Sequence, residues 1–241
     1  MKFKRVLKYL FFLMILGFLT FLYGFSSARN SAKKVTEIVI VLDENDNQFL
    51  SYEIVDKLLI QNNETLENQA KTKVDLYNLE NGILENPYVE KASVFLSIDG
   101  TLKSVIKQRT PIARIINDNQ SYYVDKKGVK VPVSENFSAR VPLITGIKNE
   151  VDLNEIMALL LTISEDDFLH KEIIGIHKSV GNEYQFSVRS GDYKIDFGTL
   201  EEKNSKFKKL KAFYNVAFKD ETIKEYKKIT IKYHNQVVCS K

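Results

Sequence analysis

The chain has 241 residues, with 35 Lys and Arg against 31 Asp and Glu, and a formal net charge of +4. So even a balance does not select nucleic acid as a partner, 44% hydrophobic residues exclude disorder throughout, and one cysteine excludes a disulfide framework or a cysteine-rich zinc site. Ten glycines and three scattered histidines leave little from which to build a phosphate loop or a metal pair.

Lys2, Lys4, Arg5 and Lys8 precede an uncharged apolar run from Tyr9 to Phe25. Val6 and Leu7 lengthen that run if Lys8 snorkels. At ~1.5 Å per residue, a helix of about 17–20 residues spans roughly 25–30 Å, one hydrocarbon core. Tyr9 and Tyr23 stand near its two ends, where aromatic rings favour the interface. The expected organisation is a cytoplasmic tail 1–5, a membrane helix 6–25 and a linker 26–34. A cleaved signal peptide is the competing reading, since Ser26-Ser27-Ala28 loosely resembles a cleavage site, but the run is longer than a usual signal core. Basic residues flank the span on both sides, so charge hardly orients it. The short tail before it favours a single-pass protein with its bulk outside the cytoplasm.

Beyond the linker, Glu37 to Leu42 is a strand candidate rich in β-branched residues. Ser51 is placed to cap a helix whose stripe is Ile54, Val55, Leu58 and Leu59. A second helix is expected from Asp75 to Glu85 and stops at Asn86-Pro87. Period-two runs on either side of Asp99-Gly100 predict a hairpin with a type I′ turn. The block reads β-α-α-β-β, a small α+β domain with both helices on one face of a three-stranded sheet.

The remainder reads as β-rich with two helices. A hairpin is expected around Asp125-Lys126-Lys127-Gly128, and a short strand within Val141 to Ile147. Asp152 with Glu155 suggests a capping box opening a helix lined by Ile156, Leu159, Leu160 and Ile163. Strands follow near 172–178, 183–189 and 193–197. Thr199-Leu200-Glu201-Glu202 suggests a second capping box, opening a helix to Lys219 with Phe207, Leu210, Phe213, Tyr214 and Ala217 as its apolar stripe. The chain closes with a strand from Tyr226 to Tyr233, a turn at His234-Asn235, and Gln236 to Cys239.

No nucleophile elbow, P-loop, dinucleotide fingerprint or zincin motif is present. The acidic run Glu165-Asp166-Asp167 reads as a solvated helix end, lacking the alternate spacing of a calcium loop. The lysines at 203, 206, 208, 209, 211 and 219 read as the wet face of an amphipathic helix, with lipid or acidic wall polymer as the functional alternative.

Asn86-Pro87-Tyr88-Val89-Glu90-Lys91-Ala92, followed by Val94, Gly100, Leu102 and Arg109-Thr110-Pro111-Ile112-Ala113, resembles the end of a POTRA domain. With a basic tail, one membrane helix and the stretch Tyr122-Tyr123-Val124-Asp125-Lys126-Lys127-Gly128, the whole resembles the FtsQ/DivIB family of bitopic cell-division proteins. Gln108 departs from the acidic residue usual at its position there. The resemblance implies a POTRA domain over 35–113 and an FtsQ-type β domain over 114–241. It implies a divisome scaffold in the inner (plasma) membrane at the division site, linking early and late division proteins and recruiting or regulating septal peptidoglycan synthesis. The partners implied are FtsB/DivIC-like and FtsL-like coiled-coil proteins and other divisome membrane proteins. Catalysis, a cofactor, a metal, nucleic acid and a small-molecule substrate are not expected. The docking element implied is the last long strand, Tyr226, Lys227, Lys228, Ile229, Thr230, Ile231, Lys232 and Tyr233, acting as a sheet edge that accepts a partner strand. Two alternatives stand beside it, an outer-membrane assembly or transport component carrying POTRA domains, and a membrane-anchored hydrolase.

Overall fold

The structure, a computed structural model, describes residues 2–43, 49–59, 66–117 and 120–241; Met1 of the expected tail lies outside them. The chain divides into two compact units, Met1–Glu44 with Leu50–Gln108, and Asn45–Phe49 with Arg109–Lys241.

The first unit begins with α1 (Lys2–Ser31), whose stretch Leu7–Ser31 is long and apolar enough to cross a membrane. The linker expected at 26–34 is therefore helical up to Ser31. Ser26 to Ser31 contains no Gly or Pro to stop propagation, and the bonds Ala32 N–H to Ala28 O (3.1 Å) and Lys33 N–H to Asn30 O (3.2 Å) carry the turn onward.

Five further elements follow: β1 (Glu37–Leu42), α2 (Tyr52–Leu58), α3 (Leu76–Leu84), β2 (Val89–Leu96) and β3 (Thr101–Gln108), with a 3₁₀ turn at Lys71–Lys73 before α3. The expected β-α-α-β-β order is present. The sheet order is β1-β3-β2, with β3 central, parallel to β1 and antiparallel to β2. Val55, Leu59, Leu79 and Ile83 from the helical segments pack against Val94, Leu102 and Ile106 of the strands. Full burial of each such side chain is worth roughly 1.5–3 kcal/mol, so this small unit depends on all of them. Ser51 caps α2 as expected, its Oγ accepting from Ile54 N–H (3.4 Å), and α3 is capped by Asp75, whose Oδ1 accepts from Asn78 N–H (3.1 Å).

Gln108 shows why its departure from an acid is tolerated. Its side chain is buried, and Oε1 accepts the N–H of Leu50 at 2.9 Å. A neutral amide oxygen meets that need without the desolvation cost of a carboxylate. The hairpin turn differs from expectation. It spans Ser97–Gly100, closed by Gly100 N–H to Ser97 O (3.2 Å), and Gly100 alone takes a positive φ (+105°). A type I′ turn would put Asp99 there too; instead Asp99 Oδ1 accepts from Thr101 N–H at 3.1 Å.

The second unit contains β4 (Pro111–Asn117), β5 (Gln120–Asp125), β6 (Lys130–Pro132), β7 (Leu143–Thr145), α4 (Glu150–Ser164), α5 (Asp167–Glu172), β8 (Ile173–Lys178), β9 (Tyr184–Val188), β10 (Lys194–Gly198), α6 (Lys203–Lys219), β11 (Lys228–Thr230) and β12 (Val238–Ser240). Among the described residues they form one nine-stranded mixed sheet, ordered β12-β11-β10-β9-β8-β7-β4-β5-β6. One core joins Ile156, Leu159, Leu160 and Ile163 of α4, and Phe207, Leu210 and Tyr214 of α6, to Ile115, Ile144, Ile176, Phe186, Ile195 and Ile229 on successive strands.

Several expectations are corrected here. The division between units falls after Gln108, and Pro111–Asn117 is a strand of the second unit rather than the end of the first, paired with β5 and β7. Arg109 donates to Asp125 Oδ2 at 2.8 Å, while Asp125 Oδ1 accepts from Lys127 and Val129 N–H across the turn that ends at Gly128 (φ +77°). The cap of α4 is Asn149, not Asp152. Asn149 Oδ1 accepts from Asp152 N–H, and Asp152 Oδ2 accepts from the N–H of Lys148, the residue before the cap, both at 2.9 Å, so the helix is capped three residues earlier than expected. No side chain caps α6, and Glu202 enters it at φ +51°. Finally, α5 was not expected at all; Asp166 Oδ1 caps it by accepting from Leu169 N–H at 3.1 Å.

Candidate partner-binding edge

A strand can take on a partner only where its main-chain hydrogen bonds are not already used. The expected docking strand fails this test over its regular part. β11 is parallel to β10 through Lys194↔Lys228, Ile195↔Ile229 and Asp196↔Thr230, and antiparallel to β12 through Lys228↔Ser240, Ile229↔Cys239 and Thr230↔Val238. It is therefore the penultimate strand, not the edge. The reason lies in the four residues His234–Val237, which let the chain turn back and lay Val238–Ser240 on its outer side.

The eight residues divide by direction. Ile229 and Ile231 are fully buried in the core, and Thr230 is nearly so. Tyr226 is half-buried, its ring 5.8 Å from that of Phe213. Lys227 has its N–H on Ser240 O (2.8 Å) and its C=O on Lys194 N–H (3.0 Å). Lys228 pairs with Asp196 at 3.0 Å. Lys232 lies between Asp196 (3.7 Å) and Glu183 (3.4 Å), and these carboxylates, Asp196 foremost, raise its pKa above the ordinary lysine value. Tyr233 is exposed.

Beyond Thr230 the backbone leaves the ladder after one more bond, Ile231 N–H to Asp196 O (2.9 Å). Lys209 of α6 then holds the turn, its ammonium donating to the carbonyls of Ile231 and His234 at 3.1 Å each and to that of Tyr233. Glu202 binds His234 Nδ1 at 3.0 Å. Gly198 (φ +72°) makes room for this path, since a Cβ there would lie 2.6 Å from Lys232 Cβ. Four of the lysines read as a wet helix face therefore have defined partners: Lys209 in this turn, Lys206, buried against the Phe197 ring (5.0 Å) and donating to Thr199 O at 2.7 Å, Lys203, donating to Ala158 O at 2.8 Å, and Lys211, paired with Asp166. Burial lowers the Lys206 pKa.

The sheet has two ends. At one, β6 is three residues long and includes Pro132, which has no N–H to offer. At the other, β12 consists of Val238, Cys239 and Ser240 and has a single strand neighbour among the described residues. Lys194 N–H to Lys227 O and Ile231 N–H to Asp196 O fix the odd-numbered residues of β11 toward β10, so Thr230 faces β12. By the same alternation the main-chain groups of Val238 face β11, and the N–H and C=O of Cys239 face outward. The Val238 side chain is 44% exposed, while Cys239 is half-buried against the core, where burial raises its thiol pKa. The open edge at this end is thus Val238–Ser240, within and one residue beyond the closing segment expected at Gln236 to Cys239.

Residues 110–240 match the family model described as FtsQ/DivIB, C-terminal related, and residues 33–107 match one described as a POTRA-like domain. The cell division protein FtsQ of Geotalea daltonii is 26% identical over 169 residues, 65% of this chain and 60% of that protein. The match thus spans less than two thirds of the relative's length.

Proposed function

We propose, from the premise that this chain belongs to the FtsQ/DivIB family, that it is a bitopic cell-division scaffold that works without catalysis. Its task is to link early and late division proteins by holding an FtsB/DivIC-like and FtsL-like coiled-coil pair at the division site. The attachment is strand addition, and the ribbon Tyr226–Ser240 is its platform. β11 forms the inner rail, β12 supplies the open row of main-chain groups, and Lys209 fixes the turn between them. The observation that carries this reading is the asymmetry of the sheet's two ends, one carrying Pro132, which has no N–H to offer, and the other led by the Cys239 amide, which the strand alternation turns outward. α1 anchors the chain in the plasma membrane, with the tail cytoplasmic and both units outside.

Photo-crosslinking in dividing cells tests this. A benzoylphenylalanine at Val238 is expected to capture an FtsB-type protein, and one at Val133, beside Pro132, is not. Capture from position 133 with none from 238 would place docking at the opposite end of the sheet.

A further inference from the structure

The end of the first unit nearest α1 carries an apolar tip ringed by cations, and the chain leaves almost no slack between it and the helix. Val35, four residues past Ser31, is already buried in the core. Thr36 N–H donates to Gly100 O (3.0 Å), and Lys34 forms a bridge with Ala70. Lys71 N–H donates to Lys33 O at 2.9 Å. Two ammonium groups grip the hairpin tip: Lys33 Nζ donates to Ile98 O (2.9 Å) and Lys71 Nζ to Ser97 O (2.7 Å). The approach is close enough that a Cβ on Gly100 would lie 2.5 Å from Lys34 O. The tip is therefore clamped onto the residues that leave the helix.

Six helical residues separate the end of the apolar run at Phe25 from Ser31, a rise of roughly 9 Å. Headgroups occupy roughly 5–8 Å on each side of the hydrocarbon, and charges act over roughly 8–10 Å of physiological buffer. Arg29, Lys33, Lys34, Lys71 and Lys73 thus lie within electrostatic reach of the leaflet. Ile98, at the tip, is 79% exposed. Three acids stand near them among the described residues: Asp99, its carboxyl turned onto Thr101 N–H, and the exposed Glu37, paired with Thr101, and Glu67, next to Asn68 whose N–H binds Val35 O, so the five cations still outnumber the acids.

We propose that the Ser97–Gly100 tip and its lysines dock on the anionic lipid headgroups beside α1, with Ile98 entering the interface and the ammonium groups meeting lipid phosphate. Continuity with the membrane span selects lipid as the occupant, so the proposal rests on α1 being a membrane helix. Docking would fix the tilt of the first unit on the bilayer.

The test uses the full chain with Cys239→Ser, reconstituted into phosphatidylcholine vesicles with and without phosphatidylglycerol. An environment-sensitive fluorophore is placed on Ile98→Cys, on Leu16→Cys within the span, or on Val180→Cys, a site 96% exposed in the second unit. Nitroxide on the lipid headgroup is expected to quench position 98 and not 180, more strongly with phosphatidylglycerol. Lys34→Gln and Lys73→Gln leave the tip's own hydrogen bonds in place. Each is expected to lower the docked ratio roughly fivefold, the equivalent of about 1 kcal/mol per basic residue at an anionic surface. An unquenched position 98 with position 16 quenched by nitroxide deep in the acyl chains overturns the docking while the span stands. Failure at position 16 removes the span and the docking with it. Shielding of position 98 that needs added division proteins, without lipid quenching, assigns the tip to a protein and also overturns the proposal.

Discussion

Lys178 shows how much of the second unit rests on single side chains. It lies on β8 with 4% of its side chain exposed, and it reaches Asp152 at 2.7 Å and Glu155 at 2.8 Å, joining the sheet to the first turns of α4. Its hydrogen bond, followed by that from Lys148 N–H, holds the Asp152 carboxyl below its ordinary value of 3.8. A depressed carboxyl stabilises the fold above its unfolded pKa and loses that contribution as pH falls through the folded value. Lys178→Met leaves both acids without their cation and is expected to lower the stability at neutral pH. Urea unfolding of the full chain in detergent micelles checks it, and the midpoints of parent and variant should converge as pH falls below about 4, where the carboxyl protonates. A gap that stays constant into acid would mean that lost packing, not the ion pair, is responsible. Neither partner was legible beforehand, because the 23 and 26 residues separating Lys178 from these acids leave no local pattern.

At the scale of elements, β11, which the family resemblance implied as the docking edge, is an internal strand, and β12 lies outside it. Alternation over Ile229, Ile231 and Tyr233 predicts a half-buried strand from Tyr226 to Tyr233, whereas the strand is only Lys228–Thr230 and Thr230 is buried along with Ile229 and Ile231. Periodicity also says nothing about which neighbours a strand has. The consequence is measurable with two prolines. Thr230→Pro removes a donor from a strand bonded on both sides and is expected to destabilise the fold, seen as a clearly lowered urea midpoint. Cys239→Pro removes an outward donor from the edge, so the fold should survive with a small shift while partner binding is lost. Equal damage to folding by both would contradict the outward assignment of Cys239. The same limit explains the other differences in local structure. Caps and turn types at Asn149, Glu202 and Gly100 differ from expectation because neighbouring polar residues offer near-equal alternatives that tertiary packing decides. The strong periodic segments, β1, α3 and the runs on either side of Gly100, fall where the sequence puts them.

Across the whole molecule, two architectures meet on one chain, an anchored β-α-α-β-β unit and a long mixed sheet with one open end. Their order, and the apolar helix before them, were readable from composition and period. The order of strands within the second sheet was not, because pairings such as Ile115 with Ile144, or Ile195 with Ile229, join segments far apart in sequence. The edge belongs to that unreadable part, and the proposed scaffold role depends on it. Amide hydrogen exchange resolved to single residues, on the full chain with and without an FtsB-type segment, addresses it directly. The Cys239 N–H is expected to exchange freely alone and to become protected on binding, while the amides of Lys130 and Val131 stay unchanged. Binding that leaves the Cys239 amide exchanging as before would show that the partner attaches without adding a strand to this edge.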